Sequence, residues 1–235
     1  MLKTLSEYRE ITEEYGQSLM TLKFLMKREE TIRFKTIHRF NVSGYDVLYS
    51  FDIAADYSIF ILNKHKQWAD QTDYDPQSEI RPKYQEIRRL ELLYKSLFYF
   101  LRVFQDEANR LFLELLGHGA GPGSSMQKTL KSDQNPITQI LNKDFPEYKE
   151  WFTDLRDRRN RIKAFGDFDT LIEEDDILIR FILIDEGDET MNQKNSELNV
   201  SPIHFGDYFE KSIANCMRLN ECIFNIFKER FSKET

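Results

Sequence analysis

The sequence predicts a mainly α protein, a bundle of four to five long helices with a small β-hairpin inserted before the last one. Three observations carry this. Apolar residues recur at intervals of three and four over most of the chain, as helices with one buried face require. The 235 residues include only 9 Gly and 6 Pro, too few for an all-β or loop-rich fold. One run, Ile177-Leu178-Ile179-Arg180-Phe181-Ile182-Leu183-Ile184, breaks the helical period between acidic clusters at 173–176 and 185–189, as a strand does.

The first helix spans 1 to about 30, with Leu5, Tyr8, Ile11, Tyr15, Leu19, Leu22 and Met26 at helical spacing. A short basic, aromatic link follows from Arg33 to Phe40 and ends near Ser43-Gly44. A second helix runs from Tyr45 to about Trp68, although the β-branched and aromatic run at 57–62 also fits a strand. Asp70 to Arg81 is a loop carrying Asp75-Pro76, and Pro82 starts the third helix. In that helix Ile87, Leu90, Tyr94, Leu97, Leu101, Phe104, Ala108, Leu111 and Leu115 keep the three–four alternation without a slip. Leu93, Phe98, Phe100 and Phe112 widen its stripe, so it is the central helix, and Gly117 caps it. The glycine-rich stretch from Gly117 to Pro136 reads as a mobile loop. The next helix runs from about Pro146 to Ala164, where Gly166 stops it. The hairpin occupies about 170–203, its second strand near Leu198–Val200. The last helix, about Gly206 to Phe231, turns Phe209, Ile213, Cys216, Leu219 or Asn220, Ile223 and Ile226/Phe227 inward. Residues 1–40 are expected to be an N-terminal helical extension and 41–235 the main helical domain.

A net charge of −7 and a pI near 5.3 argue against a protein that coats itself in nucleic acid; any such contact must be local. Cys216 and Cys222, six apart in one helix, cannot pair and suit a reducing compartment. Met1-Leu2-Lys3 opens no signal peptide, and no apolar run approaches the roughly 18 residues of a membrane span. The expectation is a cytoplasmic protein without membrane contact.

The local candidate is Arg156-Asp157-Arg158-Arg159-Asn160-Arg161-Ile162-Lys163-Ala164-Phe165-Gly166, with five cations between 156 and 163. Tyr148, Phe152, Leu155, Arg159 and Ile162 are spaced 4, 3, 4, 3, so Arg159 continues the apolar face, where an unpaired guanidinium is costly. It needs a carboxylate partner, with Glu86, Glu91 and Asp106 as candidates, or a job.

Arg159-Asn160-Arg161-Ile162-Lys163 at the end of a core helix resembles the HEPN superfamily motif of its abortive-infection and toxin-type members: arginine, a polar residue, three variable residues, then histidine. Here the last position is Ala164. The resemblance covers about residues 45–232 and implies a HEPN-like four-helix architecture. It further implies a homodimer whose groove cleaves RNA without metal or cofactor, by attack of a 2′-hydroxyl on the adjacent phosphorus to leave a 2′,3′-cyclic phosphate. Carried over, Arg159 is the phosphate clamp, Asn160 orients it, and Ala164 is the vacated place of the acid/base. Arg156, Arg158, Arg161 and Lys163 would be a solvated flank that attracts RNA phosphates. Such toxins have an antitoxin or regulatory protein as partner. Some are controlled through a tyrosine just after the motif, where this chain has Phe165 and Phe168.

Two readings of Ala164 follow: a His→Ala replacement that silences a toxin-system or phage-defence ribonuclease, or a natural non-catalytic HEPN protein whose groove binds nucleotide, RNA or protein. We take the first. A helical interaction protein with a coincidental motif is the third possibility. Elsewhere, Gly117-His118-Gly119-Ala120-Gly121 follows a helix rather than a strand and lacks the Lys-Ser/Thr of a phosphate loop. The acidic clusters lack calcium-loop spacing and read as solvated strand ends. His38, His65, His118 and His204 lack metal-ligand spacing.

Overall fold

The computed structural model describes residues 3–26, 32–69, 76–119, 121, 123–165, 168–172, 176–181 and 201–231, with side chains placed outside 68–84 and 164–168. Its elements are α1 (Leu5–Met26), α2 (Phe34–Ala69), α3 (Pro76–Leu115), α4 (Met126–Thr129), α5 (Pro136–Asp144), α6 (Tyr148–Phe165), β1 (Phe168–Ile172), β2 (Ile177–Phe181), β3 (Ile203–His204) and α7 (Phe205–Phe231). The mainly α class holds, with the small sheet lying before the last helix as expected.

The wide apolar stripe of α3 makes it the axis of the bundle. Leu90, Tyr94, Leu97, Phe98, Leu101, Phe104, Ala108, Leu111 and Phe112 have no exposed surface, which takes partners on several sides. α2 lies antiparallel to it: Arg33 bonds Glu114, the Phe40 and Phe104 rings lie 5.2 Å apart, and Ser58 Oγ is 2.8 Å from the Tyr94 hydroxyl. α7 runs parallel to α3, with Phe205 stacked 4.8 Å from Tyr94 and Arg230 donating to the Glu114 carbonyl at 3.0 Å. α6 is antiparallel to α7, because Glu147 meets Arg218 while Arg158 meets Tyr208. At the end of α3, Gly117 adopts φ +79°; its N–H donates to Glu114 and that of His118 to Leu113, the bond pair of a glycine-closed helix end.

α1 shares this core rather than lying outside it. Thr4 and Glu7 cap its start reciprocally, and Tyr8, Tyr15, Leu19 and Met26 are fully buried. The division expected near residue 40 falls inside α2, which runs unbroken from Phe34 through the link placed at 33–44. Ser43-Gly44 does not break the helix; it serves packing. A Cβ on Gly44 would stand 2.5 Å from Leu19 Cδ2, so the missing side chain lets α1 approach. Gly16 has no such duty, since a Cβ there would meet Leu48 Cδ2 at an ordinary 3.8 Å. The two glycines are therefore expected to respond with opposite signs in thermal melts. Gly16→Ala should stabilise by about 0.5–1 kcal/mol through helix propensity. Gly44→Val should destabilise by about 1–3 kcal/mol, because Leu19 is fully buried and cannot give way cheaply.

Other differences have local causes. The run at 57–62 is helical, its Ser58, Ile61 and Leu62 buried against the bundle. α3 begins at Pro76, inside the expected loop. The loop expected over 117–136 is packed in its second half. Met126 N–H is capped by Asp106 at 3.0 Å, Thr129 Oγ1 donates to Asn109 at 2.7 Å, and Met126 is fully buried. α5, absent from the sequence reading, starts where Asn135 accepts from Ile137 N–H and Pro136 takes the first helical position. The sheet order is β1-β2-β3, antiparallel, with Thr170 opposite Ile179. The hairpin partner of β2 is thus β1 before it, while Leu198–Val200 lies outside the described residues. Asp176 is not a solvated strand end: it is 4% exposed and accepts the Ile177 N–H at 2.7 Å.

Candidate functional site

α6 is apolar in its first half and cationic in its second. Positive side chains suit this end, because unpaired carbonyls and the helix dipole make it partly negative. The same geometry means that any phosphate held here must be held by side chains, not by backbone N–H groups.

The five cations have separate fates. Arg156 Nε and NH2 bond Asp157 Oδ1 at 2.9 and 2.7 Å, a neutralised surface pair. Arg158 is 4% exposed. It salt-bridges Asp154 at 2.9 Å, donates to the Ser201 carbonyl at 2.6 Å, and lies 5.3 and 5.0 Å from the Phe181 and Tyr208 ring centres. Arg161 is 1% exposed, and burial lowers its pKa from the ordinary guanidinium value. Lys163 is exposed. Arg158 and Arg161 are therefore not part of a solvated flank.

The expected continuation of the apolar face through Arg159 is displaced by one residue. From Leu155 a helix reaches 158 and 159 equally well by spacing, and the buried position falls to Arg158 because β2 and Ser201 bring rings and a carbonyl to that side. Arg159 is half-buried, and its NH1 donates to Asn160 Oδ1 at 3.3 Å. Among the described residues it forms no ion pair. The carboxylates suggested for it are engaged elsewhere: Glu86 with Tyr57 and Arg89, Glu91 with Arg88, and Asp106 with Arg102 and the Met126 N–H.

Arg159 follows Phe152 by seven residues and so shares its face, which meets α3 where the Arg102 guanidinium lies 4.6 Å over the Phe152 ring. Because α6 is antiparallel to α3, two turns onward brings Arg159 to the level of Lys95. Leu92 and Tyr99, 62% and 52% exposed, flank that level on α3. Ala164 is in the last turn of α6, and its side chain lies outside those described.

Sequence reasoning missed the neighbourhood of Arg158. A crevice of about 220 Å³ between α6 and α7 is lined by Glu150, Trp151, Asp154, Arg158, Tyr208 and Ser212. The spacing of Glu147, just before α6, with Glu150 and Asp154 on it puts one acidic face at the start of α6 and is the available signal. Of the histidines, His204 Nδ1 is 3.6 Å from buried Asp176 Oδ2, His38 stacks on Phe34, and His118 sits past the far end of α3.

Arg158 ties α6 to the sheet and to α7, so Arg158→Ala is expected to cost about 3 kcal/mol, the scale for breaking a buried ion pair with a carbonyl bond. Chemical denaturation measures it. A loss below about 1 kcal/mol would place Arg158 with surface pairs instead.

No protein-family model, curated protein or solved structure matches this chain. No helix among the described residues is long and apolar enough to cross a membrane.

Proposed function

We propose that the chain is a HEPN-type, metal-independent endoribonuclease of a toxin or phage-defence system, in a form silenced by alanine at position 164. The observation that carries this is the state of Arg159. Its neighbours Arg156 and Arg158 are committed to carboxylates, whereas Arg159 is half-exposed and, among the described residues, has no ion pair and donates to the adjacent Asn160 amide. A guanidinium kept in place by a neutral partner retains its charge and fork for a phosphate.

Arg159 is the proposed clamp, Asn160 its positioning residue, and Ala164 the place from which an imidazole would move the proton. Exposed Lys163 adds charge at the rim. Exposed Leu92 and Tyr99, at the level of α3 that helical rise assigns to Arg159, favour a homodimer closing over this face, with the two Arg159 side chains in one groove. The substrate is RNA, and an antitoxin or regulator is the expected protein partner.

The test restores Ala164→His under tight repression, with Arg159→Ala, Ala164→His as control. Growth arrest with new RNA fragments, absent in the control, supports the reading. A second reading rests on Ala164 itself: a non-catalytic module that binds RNA or nucleotide through the same groove. Restored histidine without cleavage, together with RNA binding that Arg159→Ala abolishes, favours that alternative.

A further inference from the structure

At the other end of α3 a cleft of about 380 Å³ opens between the first turns of α2 and the last turns of α3. Its walls carry Arg33, Lys35, Thr36, Arg39, Glu107 and Arg110. The volume lies in the range of small-molecule sites.

The charge here is unexpected twice. The chain carries −7 overall, yet four cations line one cleft. Glu107 holds Arg110 and Glu114 holds Arg33, while Lys35 and Arg39 have no ion pair among the described residues. All but Arg110 stand at the start of α2, the positive end of that helix, where acidic residues belong; its first turn has none. Repulsion among these groups and with the helix end disappears when an anion sits between them.

Polar groups in the cleft also lack partners. Thr36 is only 9% exposed and lines the cleft; its backbone N–H donates to the Arg33 carbonyl at 2.9 Å, while its hydroxyl makes no hydrogen bond among the described residues. Its hydroxyl can donate to a phosphate oxygen. Glu107 Oε2 is buried without a hydrogen-bond partner and can accept from a ligand hydroxyl or amine. Phe34, 71% exposed, stacks on His38 at 6.0 Å and 13°. Phe34 and His38 stand outside the cleft's lining, and the three-residue spacing of His38 from Lys35 sets this aromatic pair next to the cationic wall.

We propose that this cleft binds a nucleoside phosphate: the phosphate on Lys35, Arg39 and the Thr36 hydroxyl, the base on Phe34 and His38, and a hydroxyl or amine on Glu107. The ligand is a free nucleotide or one unit of a single strand. The site stands apart from Arg159, since the fifteen residues of α3 from Lys95 to Arg110 rise roughly 22 Å.

The experiment titrates the full chain with ATP, inorganic pyrophosphate and a short single-stranded RNA at about 150 mM salt, using calorimetry. ATP is expected to bind, with affinity at least about tenfold lower in Arg39→Glu and severalfold lower in Thr36→Val and Phe34→Ala. Arg39 is exposed, so its variant should melt like the parent. Arg159→Ala should leave ATP binding unchanged, which separates this site from the proposed ribonuclease groove. RNA binding with the same sensitivities, without ATP binding, assigns the ligand to a strand and supports the proposal. Pyrophosphate binding as tightly as ATP, with Phe34→Ala silent, overturns the nucleoside assignment. No binding of any probe at about 1 mM, or binding indifferent to Arg39→Glu, overturns the site.

Discussion

Between pH 8 and about 11 the protein is expected to unfold cooperatively, with tyrosine ionisation and loss of helix in a single transition. Tyr8, Tyr15, Tyr94 and Tyr148 are at most 1% exposed, and burial raises each hydroxyl's pKa above its ordinary value. Cys216 and Cys222 are free and buried; burial raises the first well above the usual thiol range and pushes the second up to about 11. The sign follows from the neutral form being the one that fits the core. A raised folded-state pKa contributes stability that is complete below the unfolded value and is lost as pH climbs towards the folded one. Unfolded thiols titrate near 8.5 and phenols near 10, so the loss begins at the cysteines and steepens at the tyrosines. At pH 11 the six groups together remove on the order of 10 kcal/mol, comparable to the whole stability of an ordinary domain. Absorbance of phenolate and far-ultraviolet dichroism, followed together, decide it. Phenolate signal that develops fully while the helix signal stays unchanged would mean that these hydroxyls reach water in the native fold. The same burial predicts that neither thiol reacts with an alkylating agent at pH 8 until the protein is denatured.

Ala164→His is the second large effect, and it is an expected gain of activity. A positioned imidazole contributes about 10²–10⁴ in rate as general acid or base, and the proposed clamp at Arg159 supplies charge stabilisation that needs no further residue. Cleavage should therefore appear only when both side chains are present, and the two single removals should cost nearly as much as the double one. Its rate should rise as the imidazole titrates between about pH 5 and 8. A chelator should leave it unchanged, and the RNA ends should be 2′,3′-cyclic phosphates. Specific activity should fall on dilution if two copies form the groove. Cleavage that persists in Arg159→Ala, Ala164→His, or that a chelator stops, would overturn the mechanism.

What was legible in the sequence was whatever periodicity alone determines. α3 and α7 kept one phase over their length, and their inward residues are the buried ones, Phe209, Ile213, Cys216, Ile223 and Phe227 among them. Misreadings came where a residue type has two uses. Gly44 has the composition of a break and the duty of a close approach, and only the position of Leu19 on another helix distinguishes these. Asn135-Pro136 announced α5, but nine residues give too few turns for the period to stand out. The buried arginine was assigned to 159 rather than 158 because both continue the face beyond Leu155; the choice was made by Ser201, forty-three residues away. The cationic cleft was out of reach altogether, since Arg39 and Arg110 meet only when α2 and α3 pair.

The first and last helices lie side by side: Lys3 meets Glu210, Tyr8 packs on Phe205, and Asn220 donates to Ser18, 202 residues earlier. During synthesis α1 therefore leaves the ribosome roughly 10–40 s before its final neighbour at usual elongation rates. In that interval part of its apolar face has only α2 and α3 to cover it. Completion of the core is thus tied to synthesis of α7, and a ribosome that stalls before it leaves behind a sticky fragment rather than a smaller working protein.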